Sequence, residues 1–161
     1  MSDDQTDRLL RVPRIVLGAM MLGIVAFAGV SPVLRGQRLL PASPELVPIL
    51  YVVLAAVIVG AVTGCLVVRR TLIGGLRRKW AGRSVSDIPP AERARALISL
   101  TIVSAALAEG AALTAIVVFL LGANWAVLAV PALALFRLVS LMPTGDRVDR
   151  LVEQATSSGW R

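Results

Sequence analysis

The sequence predicts an all-α fold: a polytopic membrane protein built as a four-helix transmembrane bundle with short cytoplasmic surface helices. Three observations lead there. Four long apolar runs, residues 15–34, 46–68, 96–121 and 125–142, take up more than half of the 161 residues. Only two charged residues, Glu109 and Arg137, lie inside them. Mean hydropathy is +0.79 with 57% hydrophobic residues, which excludes a soluble bundle, because its helices would need polar outer faces. The runs do not alternate polar and apolar residues, so they are not barrel strands.

Each run is long enough to cross. The four contain 20, 23, 26 and 18 residues, and about 20 apolar residues span a hydrocarbon core of about 30 Å. The first run follows Arg8, Arg11 and Arg14 and contains Ala26-Phe27-Ala28, a small-residue pattern resembling a signal-peptide cleavage site. Its continuation to Leu34 favours an uncleaved anchor. Pro48 falls in the first turn of the second span, where its missing N–H costs little. The stretch Ser86-Asp87-Ile88-Pro89-Pro90-Ala91-Glu92 signals a helix start near Pro90, since proline is tolerated in the first turn and acids favour its positive end. Pro131 removes the bond to the Val127 carbonyl and predicts a kink in the fourth span.

The whole chain, 1–161, reads as a single transmembrane domain with a basic loop at 69–95 and a tail at 143–161. Within the loop, Leu72, Ile73, Leu76 and Trp80 recur at helical spacing and predict a short interfacial helix over 71–83, weakened by Gly74 and Gly75. In the tail, Val148, Leu151, Val152 and Ala155 share one face and predict a second surface helix. Small residues four apart, at Ala19/Gly23, Gly60/Gly64 and Ala106/Gly110, favour close helix packing within one chain or between copies.

Charge sets the orientation. Fourteen Lys and Arg residues lie in the N-terminal segment, the loop 69–95 and the tail, against two, Arg35 and Arg38, in the first loop. Positive flanks stay cytoplasmic, so both termini and the basic loop are expected inside, in the inner membrane of a bacterium. Tyr51 and Trp125 then fall at outer span ends, where amphipathic rings sit at headgroup depth. The net charge of +7 therefore points to anionic headgroups and not to nucleic acid. The expected lipid contacts are Arg69, Arg70, Arg77, Arg78, Lys79, Trp80 and Arg83. The expected partners are the bilayer and either a second copy or another membrane protein.

Chemistry-bearing residues are few. The chain has no histidine and one cysteine, Cys65, so neither an internal disulfide nor a Cys/His metal cluster can form. Cys65 sits among apolar residues and reads as a packed thiol. Ser99, Ser104 and Thr114 read as hydroxyls bonded back to their own helix. No nucleophile–base set or phosphate-binding loop is recognisable, so neither an enzyme nor a cofactor is expected.

The two intramembrane charges carry the functional expectation. A charge at mid-bilayer costs about 2.5–3.5 kcal/mol on insertion scales and normally faces protein or water. Glu109 and Arg137 each lie 14 residues from Ala123, the centre of the short turn between spans three and four. At 1.5 Å per residue both sit ~21 Å from that turn, so an ion pair is expected if both face the seam. This reading makes the protein a non-enzymatic structural, assembly or interaction protein. The alternative is a proton- or ion-coupled subunit using Glu109 as its carboxylate.

Around Glu109, the residues Ala108-Glu109-Gly110-Ala111-Ala112-Leu113-Thr114-Ala115-Ile116-Val117-Val118 resemble the carboxylate helix of the ATP synthase proteolipid, subunit c. That resemblance implies a proton-binding role for Glu109. The whole chain also resembles small four-span bacterial membrane proteins with an Ala-x-x-Glu-like third helix. It departs from the proteolipid in its long basic loop, in offering only Gly60 and Gly64 on the second span, and in carrying Arg137 on the neighbouring helix.

Overall fold

The computed structural model describes residues 3–37, 44–80 and 87–142. They form four α-helices: α1 (Asp3–Gly36), α2 (Val47–Trp80), α3 (Pro90–Leu120) and α4 (Ala129–Ser140). Short 3₁₀ turns at Pro44–Leu46 and Trp125–Leu128 lead into α2 and α4.

α1, α2 and α3 outrun the apolar runs that predict them. α1 and α2 each contain 34 residues, about 51 Å at 1.5 Å per residue. α2 does not end where hydropathy falls at Val68. It continues through Gly74 and Gly75 to Trp80, so the expected separate helix over 71–83 is the end of α2, and the loop 69–95 shrinks to a short connection before Pro90. Packing explains this. Trp80, Ile88 and Leu97 are buried together, with Leu76, Ala96 and Leu100 against them. Anchoring α2's last turn on the start of α3 outweighs the helix cost of two glycines, about 1 kcal/mol each.

α3 begins at Pro90 with Glu92 in its first turn, as its proline–acid sequence signals. It is the hub, packing against α1, α2 and α4. Of its most apolar window 44% is buried, against 17% for α1 and 6% for α2. One seam joins Leu17 and Ile24 of α1 to Ala105 and Ala112 of α3 and to Ala134 and Leu138 of α4. Another joins Leu54 of α2 to Ala115 and Val118 of α3 and to Ala123 and Val127 beyond it. Alanines on α3 let three helices approach one axis closely.

Pro131 does not kink a long fourth span. α4 starts only at Ala129, after the 3₁₀ turn, so Pro131 lies in the first turn, where no N–H is needed.

The outer faces are apolar. Leu22, Val52, Leu133 and Phe136 are 68% to 76% exposed, a surface suited to hydrocarbon and not to water. α1, α2 and α3 each contain a stretch long and apolar enough to cross a membrane, and Trp125–Ser140 is a shorter apolar helix.

Candidate functional site

Glu109 and Arg137 are not an ion pair. Among the described residues, neither has an oppositely charged group within salt-bridge distance. Glu109 is half-buried and turned toward α1: a Cβ built on Gly23 would lie 3.9 Å from its Oε1. Arg137 is exposed and lines a groove on the opposite flank of α3, between α2 and α4. The levels agree, because Ala108, beside Glu109 in sequence, lines the same groove. The directions do not. Ala105 and Ala112 of α3 meet Ala134 and Leu138 of α4, and both charged side chains are rotated out of that seam. Counting residues from the turn fixes depth; the small residues fix azimuth.

The groove holds about 430 Å³ and is lined by Ala61 and Cys65 of α2, Ser104 and Ala108 of α3, and Leu133 and Arg137 of α4, among others. Arg137 is the one charged residue in its described lining. Cys65 is half-buried there, its Sγ 4.0 Å from the Ser104 carbonyl oxygen. Leu66 lines both this groove and a shallow depression that includes Arg69, Arg70 and Arg77. The apolar groove thus adjoins basic surface on α2.

The basic end of α2 divides in two. Arg69, Arg70, Arg77, Arg78 and Lys79 are exposed, as headgroup contact requires. Trp80 is not: it is 2% exposed, and its indole N–H donates to Glu92 Oε1 at 3.1 Å. Its expected headgroup role is therefore corrected to an anchor in the fold, because the ring belongs to the α2–α3 core. Lys79 Nζ reaches the same oxygen at 2.7 Å, so Glu92 ties the end of α2 to the first turn of α3. Arg93 Nε donates to the Ile88 carbonyl at 2.8 Å. Arg83 and the tail 143–161 lie outside the described residues. Thr114 donates its hydroxyl to the Gly110 carbonyl at 2.8 Å, the back-bonding expected of it.

At the opposite end lies a cluster that sequence reasoning missed. Arg35, in the last turn of α1, reaches the C-terminus of α3. Its Nη1 donates to Phe119 O at 3.2 Å and Ala123 O at 2.5 Å, and its Nη2 to Gly122 O at 3.3 Å. Its Cζ lies 4.5 Å from the centroid of the Phe119 ring, which also meets Trp125 at 4.8 Å. A helix end leaves carbonyls unpaired and carries partial negative charge, and a guanidinium offers five donors in a fork. Gly122 takes a φ of 114°, which only glycine adopts without strain. The Asn124 backbone N–H donates to the Tyr51 hydroxyl at 3.0 Å, bringing α2 into the same cluster. An arginine on the sparsely charged side, with a three-residue turn nearby in need of donors, was the signal available in the sequence.

No protein-family model, curated protein or solved structure matches this chain.

Proposed function

We propose that this is a multi-pass protein of a bacterial inner membrane, crossing four times with both termini inside, and that it works by association within the bilayer and not by catalysis. One observation carries the association reading: α2 meets the bundle along a narrow seam, with Leu54 the one buried residue of its apolar part, leaving a groove beside it open to the surrounding membrane. The arginine asymmetry supports the orientation, since Arg69, Arg70, Arg77 and Arg78 lie exposed at one end of the bundle while Arg35 at the other is spent on helix carbonyls. The Trp125–Ser140 segment, about 26 Å long from its 3₁₀ and α rises, reaches across a thin core with its hairpin partner α3.

The test is residue-by-residue thiol accessibility in sealed vesicles, using Cys65→Ser as background. Cysteines placed at Arg78 and Arg95 should react only with reagent on the cytoplasmic side, and one placed at Gln37, exposed at the end of α1, only from outside. Site-directed photo-crosslinking from Val62 and Leu133 should capture membrane components, whereas crosslinks from Ala115, buried in the bundle, should not form. Reaction of the Arg78 cysteine from the periplasmic side refutes the orientation.

A second reading has a specific observation behind it. With Arg137 on the far flank of α3, Glu109 has no cationic partner among the described residues and faces α1 at Gly23, as an ion-coupled site needs. Carbodiimide, which attacks protonated carboxyls, should then label Glu109 before Glu45 and Glu92. Equal labelling of all three counts against it.

A further inference from the structure

We propose that the groove between α2, α3 and α4 is a binding site for one anionic phospholipid of the cytoplasmic leaflet. An acyl chain lies in the slot, and its phosphate sits on Arg137 and on Arg69 or Arg70. The inference rests on the orientation proposed above. The slot is apolar along its length and bordered by Ala61, Ala108 and Ala134, whose small side chains leave room for a flexible chain. Its volume of about 430 Å³ is in the range of small-ligand pockets. It is open on the lipid side, so its occupant arrives laterally from the bilayer.

Charge selects the headgroup. Among the described residues no carboxylate pairs with Arg137, which leaves a guanidinium in an apolar wall, and such a cation is held in membranes only by a counter-charge or by water. The acid nearest in depth, Glu109, is turned to the other flank. Leu66 separates the slot from the neighbouring depression containing Arg69, Arg70 and Arg77, so a headgroup at that end of the slot meets cationic surface. An apolar slot ending in arginines matches a lipid phosphate without a compensating choline. A second copy of the chain fits less well, because the surface it would bring is as basic as the one it meets.

The single cysteine, Cys65, lines the slot and reports on its occupancy without engineering. The full chain in neutral micelles is titrated with a diacyl phosphoglycerol or a diacyl phosphocholine lipid, and alkylation of Cys65 by a membrane-permeant maleimide is timed. Native mass spectrometry of the same samples counts retained lipids. The expected result is one retained phosphoglycerol lipid, favoured by about tenfold over phosphocholine, with Cys65 alkylation slowed in proportion. Arg137→Leu should remove the preference, and Ala61→Phe, which fills the slot and leaves the arginines, should remove retention. Equal retention of both lipids overturns the headgroup assignment. Alkylation indifferent to either lipid overturns the site. Protection that tracks dimer formation assigns the groove to a second copy and overturns the proposal. The wild-type comparison stands alone if a variant fails to fold. An inverted topology would show in the vesicle labelling and leave the lipid preference readable, so the two failures are distinct.

Discussion

Replacing Arg35 tests how the end of the bundle around the α3–α4 turn is held. Arg35→Ala removes three hydrogen bonds to the carbonyls of Phe119, Gly122 and Ala123 and the stacking on the Phe119 ring. Charged hydrogen bonds contribute about 1.5–3 kcal/mol each when shielded. Arg35 is half-exposed and the freed carbonyls reach interfacial water, so the set together is worth about 1.5 kcal/mol. The helix-end charge interaction adds about 0.5 kcal/mol and the ring contact about 0.5–1 kcal/mol. The expected loss is about 2.5–3 kcal/mol, which is roughly 60–150-fold in the unfolding equilibrium. Arg35→Lys keeps the charge and loses the fork, and should recover less than half of it. The assay is reversible unfolding in mixed micelles, followed by tryptophan fluorescence, since Trp125 packs on Phe119. In the proposed orientation this carries a built-in control: removing an arginine from the outer side leaves the charge bias stronger. Stability of Arg35→Ala within about 0.5 kcal/mol of wild type, or full rescue by lysine, would refute this role for the guanidinium.

Three further outcomes follow from the packing. Trp80→Ala should cost about 3–5 kcal/mol and raise hydrogen exchange over the first turns of α3, while Trp80→Phe should lose only about 1 kcal/mol with the bond to Glu92; indifference to both would mean α2's end is not docked. Gly60→Ala meets nothing within 4 Å and should stabilise by about 0.5–1 kcal/mol, whereas Gly64→Leu must displace Leu107, already 3.2 Å from a Cβ there, and should cost about 1–3 kcal/mol; the same unfolding assay reads both. A double-mutant cycle on Glu109→Gln and Arg137→Gln should give a coupling under about 0.5 kcal/mol, because the two do not touch; a coupling of several times that would restore the ion pair.

The class of fold was legible because an unbroken apolar run of membrane length leaves a helix with no face suited to water. The start of α3 was legible because Pro89-Pro90-Ala91-Glu92 states it in local chemistry. The extent of α2 was not. Its boundary was read from the fall in hydropathy at Val68, but a helix ends where backbone hydrogen bonds end, and those persist beneath arginine as readily as beneath valine. What keeps them is the burial of Trp80, a tertiary fact. The charged site was half legible: residue counting placed Glu109 and Arg137 at one depth, while azimuth depends on which alanines α3 gives to each neighbour. The Arg35 cluster was counted only as orientation charge, since its partners are carbonyls and carbonyls leave no mark in a sequence.

That cluster also dictates an order of events. Arg35 is synthesised at least 84 residues before the carbonyls it grips. In the orientation proposed above, the guanidinium crosses early and has only water for company until those carbonyls arrive. It engages after the final hairpin has been delivered and its turn has closed around Gly122. The earliest helix therefore seals the work of the latest, and a nascent chain stopped short of the turn is left unlatched.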